Sequence, residues 1–212
     1  MFVPALACCV PLLDVQPEYL PLVAGTPQSN GFFLAWVIMA GMLASLVYVV
    51  VIFYRAFQEK PLPHFPTWLD LTTPVLALIG MGVAAYLTYV ETQSVNAICG
   101  PVGDCNAVQS SPYAILFGIL PVGLLGLAGF LAILIAWFWR RLRSDVIAEY
   151  ASVAIFGMAL FGTLFSIYLT YLELFVIKAV CIWCLSSAVI ITLLMLLGTD
   201  AAARWIAGVE EE

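Results

Sequence analysis

Charge is what this chain has least of. Asp, Glu, Lys and Arg make up 9% of its 212 residues, while 64% are hydrophobic. Soluble domains carry about 25% charged residues. Seven cations and thirteen acids cannot cover a globule of this size, so a soluble fold is excluded. Cations are the scarcer sign, and a net charge of −6 leaves no basic face to neutralise phosphates. Nucleic-acid binding is therefore excluded too. Histidine occurs once, as His64 among prolines, and is incidental. Residues 1–31 hold five prolines, two acids and no basic residue. Without a positive n-region, Phe2–Leu13 makes a poor secretory signal, and the same lack argues against a lipobox at Leu6-Ala7-Cys8-Cys9.

Long apolar runs are abundant. A bilayer core about 30 Å thick needs roughly 20 apolar residues in a helix. Five stretches qualify: Phe32–Tyr54, Leu71–Val90, Tyr113–Trp139, Val146–Ile177 and the shorter Val180–Gly198. Ser111-Pro112 offers an N-cap and a first-position proline for the third span, and Gly198 follows the last run as a helix stop. Arg55, Lys60, Arg140, Arg141, Arg143 and Arg204 all fall in odd-numbered connections or the tail, whereas Lys178 lies alone in the fourth connection. The positive-inside rule makes the first side cytoplasmic. The chain then divides into an external arm (1–31), an additional transmembrane helix (32–54) and a cytoplasmic connection (55–69). A four-helix core (70–198) with an outer loop (91–112) follows, and then a cytoplasmic tail (199–212). The lipid bilayer is the first partner, and a multi-pass plasma-membrane location with the N-terminus outside is the expectation.

An internal repeat organises the core. Tyr86-Leu87-Thr88-Tyr89-Val90-Glu91 returns as Tyr168-Leu169-Thr170-Tyr171-Leu172-Glu173, and Leu78 and Gly80 match Leu160 and Gly162 at the same offset. Cys105 is followed at five and six residues by Ser110-Ser111, as Cys181 is by Ser186-Ser187. Both copies run from inside to outside, turn and return, which makes a parallel repeat. The fold class expected is an all-α integral membrane protein: a four-helix bundle of two helical hairpins, with one additional N-terminal helix. Each hairpin carries cysteines at its outer turn, Cys99 and Cys105 in the first, Cys181 and Cys184 in the second.

Cys181-Ile182-Trp183-Cys184 begins the fifth helix, so its thiols share one helical face. The helix N-terminus and Lys178 both favour a thiolate. Cys99 and Cys105 lie in a loop with Gly100, Pro101 and Gly103, which suits an arm closed by a disulfide that bends toward the second pair. Thiol–disulfide exchange needs a thiolate, an accessible sulfur and a partner pair, and the outer compartment is where protein disulfides are made. Electrons reaching Cys181/Cys184 need an acceptor. No haem, flavin or iron–sulfur motif is visible, and a membrane-dissolved quinone suits an aromatic-rich helical bundle.

The order Cys99…Asp104-Cys105-Asn106-Ala107-Val108-Gln109-Ser110-Ser111, then Tyr113-Ala114 and Phe117-Gly118, resembles the vitamin K epoxide reductase (VKOR) family, as does Cys181-Ile182-Trp183-Cys184 after Tyr171-Leu172-Glu173. The resemblance covers about residues 69–198. It implies a prokaryotic homologue that oxidises an extracytoplasmic thioredoxin-like carrier and reduces a quinone of ubiquinone or menaquinone type. It further implies that Cys99 and Cys105 exchange with the carrier, that Cys105 attacks Cys181, and that Cys184 sits nearest the quinone. Ser110, Ser111 and Phe117 match positions near that pocket, and Trp183 is a quinone contact or an interface anchor. Ile182 stands where bacterial members often have proline. The first span is additional to the family core, and without a fused thioredoxin-like domain the carrier acts in trans.

Other readings of the same residues stay open. The four cysteines can form structural disulfides in a membrane scaffold or assembly subunit, or a four-cysteine zinc site. Cys8 and Cys9 are read as non-catalytic. Ser110 and Ser111 can be helix caps. Asp104 either raises the Cys105 thiol pKa or orients the loop. Glu91 and Glu173 either mark a hydrated interface or serve proton transfer.

Overall fold

The computed structural model describes residues 29–58, 60, 67–93, 95–99, 103–116, 119–143 and 146–208. Cys8, Cys9, His64 and Phe117, together with residues 1–28 of the N-terminal arm, lie outside them. Among the described residues, five helices are long and apolar enough to cross a membrane. They are α1 (Ser29–Phe57), α2 (Thr72–Gln93), α4 (Val122–Leu142), α5 (Val146–Tyr171) and α6 (Ile182–Ala207), with a short α3 (Cys105–Gln109) in the loop between α2 and α4. This is the all-α membrane fold expected from the apolar runs.

Hairpins α2/α4 and α5/α6 form the core. Helix α4 packs on α5 and α2 on α6, closing a four-helix bundle, and α1 lies outside it against α6. Phe130 and Ile133 of α4 meet Ala84 of α2, Ala159 of α5 and Leu194 and Met195 of α6 in the central core. Helix α1 docks through Ala35, Met39 and Met42 onto Leu185 and Ala188. Its other end reaches Ala203 through Ile52 and Ala56, so α1 runs parallel to α6. Large apolar side chains such as Phe33, Val47, Val50 and Ile135 face outward, as a lipid-facing surface requires.

The repeated glycines do the same work in both hairpins. A Cβ on Gly80 would stand 2.5 Å from the Phe130 ring, and one on Gly162 would stand 2.6 Å from Ile191. Each glycine therefore lets the two helices of its own hairpin approach, the small-residue packing that membrane helices rely on. Replacing Gly80 by Val is expected to destabilise the bundle by about 1–3 kcal/mol through overpacking. Thermal unfolding in detergent will report it as a lowered midpoint.

Two expected helix boundaries are corrected. The third span does not start at Tyr113: Ser111-Pro112 opens a three-residue 3-10 turn, Pro112–Ala114, without a side-chain cap bond. A two-residue strand pair follows, β1 (Ile115–Leu116) with β2 (Leu120–Pro121), and the helix starts at Val122. Proline favours a first turn but does not require the turn to continue, and here the strand pair absorbs the next backbone groups. Nor does Gly198 stop the last helix. It sits inside α6, where a Cβ would touch Phe156 at 3.4 Å, and the helix runs on to Ala207 and is closed by Gly208 at φ 66°. That contact is an ordinary van der Waals one, so neither termination nor close approach singles out glycine at this position. Residues 199–207 are thus helix rather than tail.

At the end away from the cysteines, Arg140 forms an ion pair with Asp70 and donates to Ser152 Oγ at 3.2 Å. Trp137 Nε1 donates to the Asp70 carbonyl at 3.2 Å, so the four-residue cluster ties α4 to the start of α2 and to α5.

Candidate redox site

The loop after α2 is held by side chains rather than by regular structure. Tyr86 Oη accepts the Ile98 N–H at 2.8 Å, and Trp183 Nε1 donates to the Ile98 carbonyl at 3.0 Å. The Trp183 and Tyr86 rings lie 4.7 Å apart. Asn106 Oδ1 accepts the Ala97 N–H at 2.7 Å. Asp104 N-caps α3, its carboxylate accepting from Ala107 N at 3.1 Å, so it orients the loop. Cys99 and Cys105 are joined in a disulfide, with their Cα atoms 5.9 Å apart.

The second hairpin turns differently. Helix α5 ends in a π-helical turn, Leu172–Ile177, and Lys178 then takes a left-handed conformation at φ 56°. Cys181 caps α6: its sulfur accepts the Cys184 N–H at 3.4 Å. Both Cys181 and Cys184 are free thiols. A hydrogen bond with the Cys184 thiol holds the Cys181 thiol below its ordinary range; burial pushes it up, and the N–H groups of Cys184 and Trp183 and the Gln109 side chain push it down. The helix-terminus contribution expected from sequence is present in those N–H groups. Lys178 is exposed.

The two turns meet directly. Asp104 N donates to the Val180 carbonyl at 3.0 Å, so the residues just before Cys105 and Cys181 are bonded to one another. Gly103 lies so close to the Val180 carbonyl oxygen that a Cβ there would overlap it. Cys105 and Cys181 are both fully buried, in one cluster with the half-buried Cys99 and Cys184. From α3, Gln109 Nε2 reaches Cys184 Sγ at 3.9 Å. All four cysteines therefore occupy one end of the bundle.

Beneath Cys184 the bundle contains a cavity of about 230 Å³, walled by all four core helices. Phe130, Phe161 and Phe165 line it, and Cys184, Ser187, Ser166, Thr170 and Glu91 provide its polar groups. Cys181 is not in this lining, so the two thiols of the pair face different surroundings. Ser110, Ser111 and Trp183 do not line it either. Ser110 closes α3 as its C-cap. The Ser111 hydroxyl is buried without a hydrogen-bond partner. Trp183 pins the loop instead of facing the cavity, because its indole N–H is engaged by Ile98. Two groups that sequence reasoning left unassigned stand out, Gly103 and Gln109. Gln109 was legible in principle, since it sits four residues after Cys105 and shares its helical face.

The glutamates ending the repeated hexamers are braces. Glu91 accepts the Gly123 N–H at 2.9 Å, and Glu173 accepts the Cys181 N–H at 3.4 Å. Each ties its own hairpin's outgoing helix to the start of the returning one. A hydrated interface does not describe Glu173, which is 2% exposed.

The vitamin K epoxide reductase family model matches residues 71–199 of this chain. The chain belongs to the VKOR family. The match spans α2 to α6, so it contains both cysteine pairs and the cavity and leaves α1 outside. Family membership makes this a multi-pass membrane protein of the thiol-oxidoreductase type, in a family generally linked to quinones. Two of the four VKOR-like cysteines are already joined to each other, which leaves only Cys181 and Cys184 as thiols for the zinc reading. Among the described residues no three His, Cys, Asp or Glu side chains converge as metal ligands.

Proposed function

We propose that the protein is a quinone-dependent thiol–disulfide oxidoreductase that oxidises a thioredoxin-like carrier supplied in trans on the extracytoplasmic side. The carrying observation is the Asp104–Val180 backbone bond, which sets the loop disulfide against the C-x-x-C. The gradient of exposure supports an order for the relay. Cys99, half-buried, meets the carrier; Cys105 and Cys181 lie buried in the same cluster; Cys184 opens onto the cavity. A carrier thiolate attacks Cys99 and is released as a disulfide, leaving Cys99 and Cys105 reduced. Cys105 then attacks Cys181, and Cys184 leaves as the thiolate.

The cavity fits a quinone head group: aromatic and aliphatic walls suit a flat ring, and a few polar groups suit its oxygens. Phe130, Phe161 and Phe165 would hold the ring, with Ser187, Thr170 and Glu91 available to its carbonyls. A bound quinone supplies the sink for two electrons and two protons. Cation placement supports the orientation. Arg55, Arg140, Arg141, Arg143 and Arg204 sit at helix ends away from the cysteines, and the positive-inside rule puts that end in the cytoplasm.

Trapping tests the reading. Cys105→Ser leaves Cys99 without its resolving partner, so a thioredoxin-like protein should accumulate as a reductant-sensitive adduct on Cys99, visible on non-reducing gels and identifiable by mass. Absence of any adduct in cells carrying this variant overturns the carrier assignment. Titrating the thiols against a redox buffer separates a relay from a scaffold, since a staple stays oxidised at potentials where a relay cycles.

A further inference from the structure

The turn that carries Glu173 has three unusual features together. It is π-helical, and such turns recur at functional sites. It ends in Lys178 at φ 56°, a left-handed conformation that a non-glycine residue keeps only where its surroundings impose it. It also buries a carboxyl group at the C-x-x-C: Glu173 is 2% exposed, one of its oxygens accepts the Cys181 N–H at 3.4 Å, and the Cys181 sulfur in turn accepts the Cys184 N–H at 3.4 Å. The brace role alone does not explain an acid here, since a glutamine would accept the same N–H.

The surroundings offer Glu173 protons rather than cations. Lys178, on its own turn, is exposed, and so is Asp104 on the loop helix. The outer half of α1 contributes no ionisable residue. From α6 the facing groups are Cys181 and Cys184, and α3 adds the neutral Gln109 amide above them. Glu91, the repeat counterpart, belongs to the other hairpin and lines the cavity. The two glutamates thus brace alike but differ in company: Glu91 shares the cavity lining with Cys184, whereas Glu173 is bonded to the Cys181 amide at the start of the C-x-x-C.

We propose that Glu173 is the proton-exchange group of the Cys181–Cys184 pair. This rests on the relay described above. When Cys105 Sγ bonds to Cys181 Sγ, the Cys181–Cys184 bond breaks and Cys184 leaves as a thiolate, which takes a proton from the Glu173 carboxyl. The Cys105 proton goes to the outer solvent. Cys99 Sγ then attacks Cys105 Sγ, losing its own proton to the outer solvent, which re-forms the Cys99–Cys105 disulfide and releases Cys181 as a thiolate. When the Cys181–Cys184 bond re-forms, Cys184 returns its proton to Glu173. A bound quinone would accept the two electrons and two protons, matching the two protons lost from Cys99 and Cys105. The carboxyl therefore cycles once per turnover and is not consumed.

The test needs neither quinone nor carrier. In a Cys99→Ser/Cys105→Ser background, the rate of iodoacetamide alkylation at Cys181/Cys184 is followed against pH, because thiolate and carboxyl titrations that share a proton produce two inflections. Two inflections are expected with Glu173, one with Glu173→Gln, and two again with Glu173→Asp. Oxidation of the pre-reduced pair by 4,4′-dithiodipyridine should slow about 10²-fold in Glu173→Gln, the size of a general acid–base contribution, and recover in part in Glu173→Asp. The same alkylation profile in Glu and Gln forms, or an unchanged oxidation rate, overturns the proposal. Failure of the unsubstituted protein to reduce a short-chain quinone would instead overturn the acceptor assignment and leave these measurements to stand on their own.

Discussion

Cys184→Ala is expected to reduce quinone-coupled turnover to background, a loss on the order of 10³-fold or more, as removal of a covalent participant does. Among the described residues, Cys184 is the one cysteine that lines the cavity. Without it the Cys181–Cys184 bond cannot form, so electrons delivered to Cys99 and Cys105 have no onward path. The kinetic form of the loss is diagnostic. The Cys99–Cys105 disulfide is intact at the outset, so each chain should oxidise one equivalent of carrier dithiol and then stop. A stoichiometric burst followed by no turnover is the expected trace; sustained turnover without Cys184 would sink the relay. Packing is not the cause, since alanine removes one partly buried sulfur. Cys8→Ala and Cys9→Ala are expected to leave turnover largely intact.

Gly103→Ala should disconnect the two cysteine pairs while leaving each able to react. A Cβ at this position falls on the Val180 carbonyl oxygen. That atom is backbone and cannot swing aside as a side chain would. The loop must lift instead, losing the Asp104–Val180 hydrogen bond and withdrawing Cys105 from Cys181. A displacement of about 1 Å between reacting groups can cost about 10²-fold, and carrier-supported quinone reduction should fall by that order. Reduction of Cys181–Cys184 by dithiothreitol bypasses the loop, so dithiothreitol-supported turnover should change little. Equal losses with both reductants would mean that Gly103 serves stability rather than docking.

The hexamer repeat shows how far residue order reaches. Because Glu91 and Glu173 end matching segments, the chain announces two similar hairpins, and Gly80 and Gly162 prove to serve matching close approaches. The roles of the two glutamates diverge only in space. Glu91 ends beside the cavity and Glu173 beside the thiols, because the connections differ: a long loop with its own helix in one hairpin, a π-helical turn in the other. Ser111-Pro112 and Gly198 mark the opposite limit. Both carry familiar local signals for helix ends, and in both the surrounding packing prevails over the signal.

Sequence by itself determined that this is a membrane protein, that its core is two hairpins and that its four core cysteines share one end. Those conclusions rest on quantities carried by the chain alone: the free energy of placing apolar runs in lipid, and an order of residues repeated at a constant offset. Tertiary structure decided which sulfur faces the cavity, that Trp183 holds the loop, and that Gly103 and Gln109 belong to the site. Each depends on contacts between residues far apart in the chain, whose separation in space no local periodicity encodes. The shortage of charge that excluded a soluble fold also gives Glu173 its significance: in a bundle this poor in cations, the buried carboxyl is held by the Cys181 N–H at the C-x-x-C.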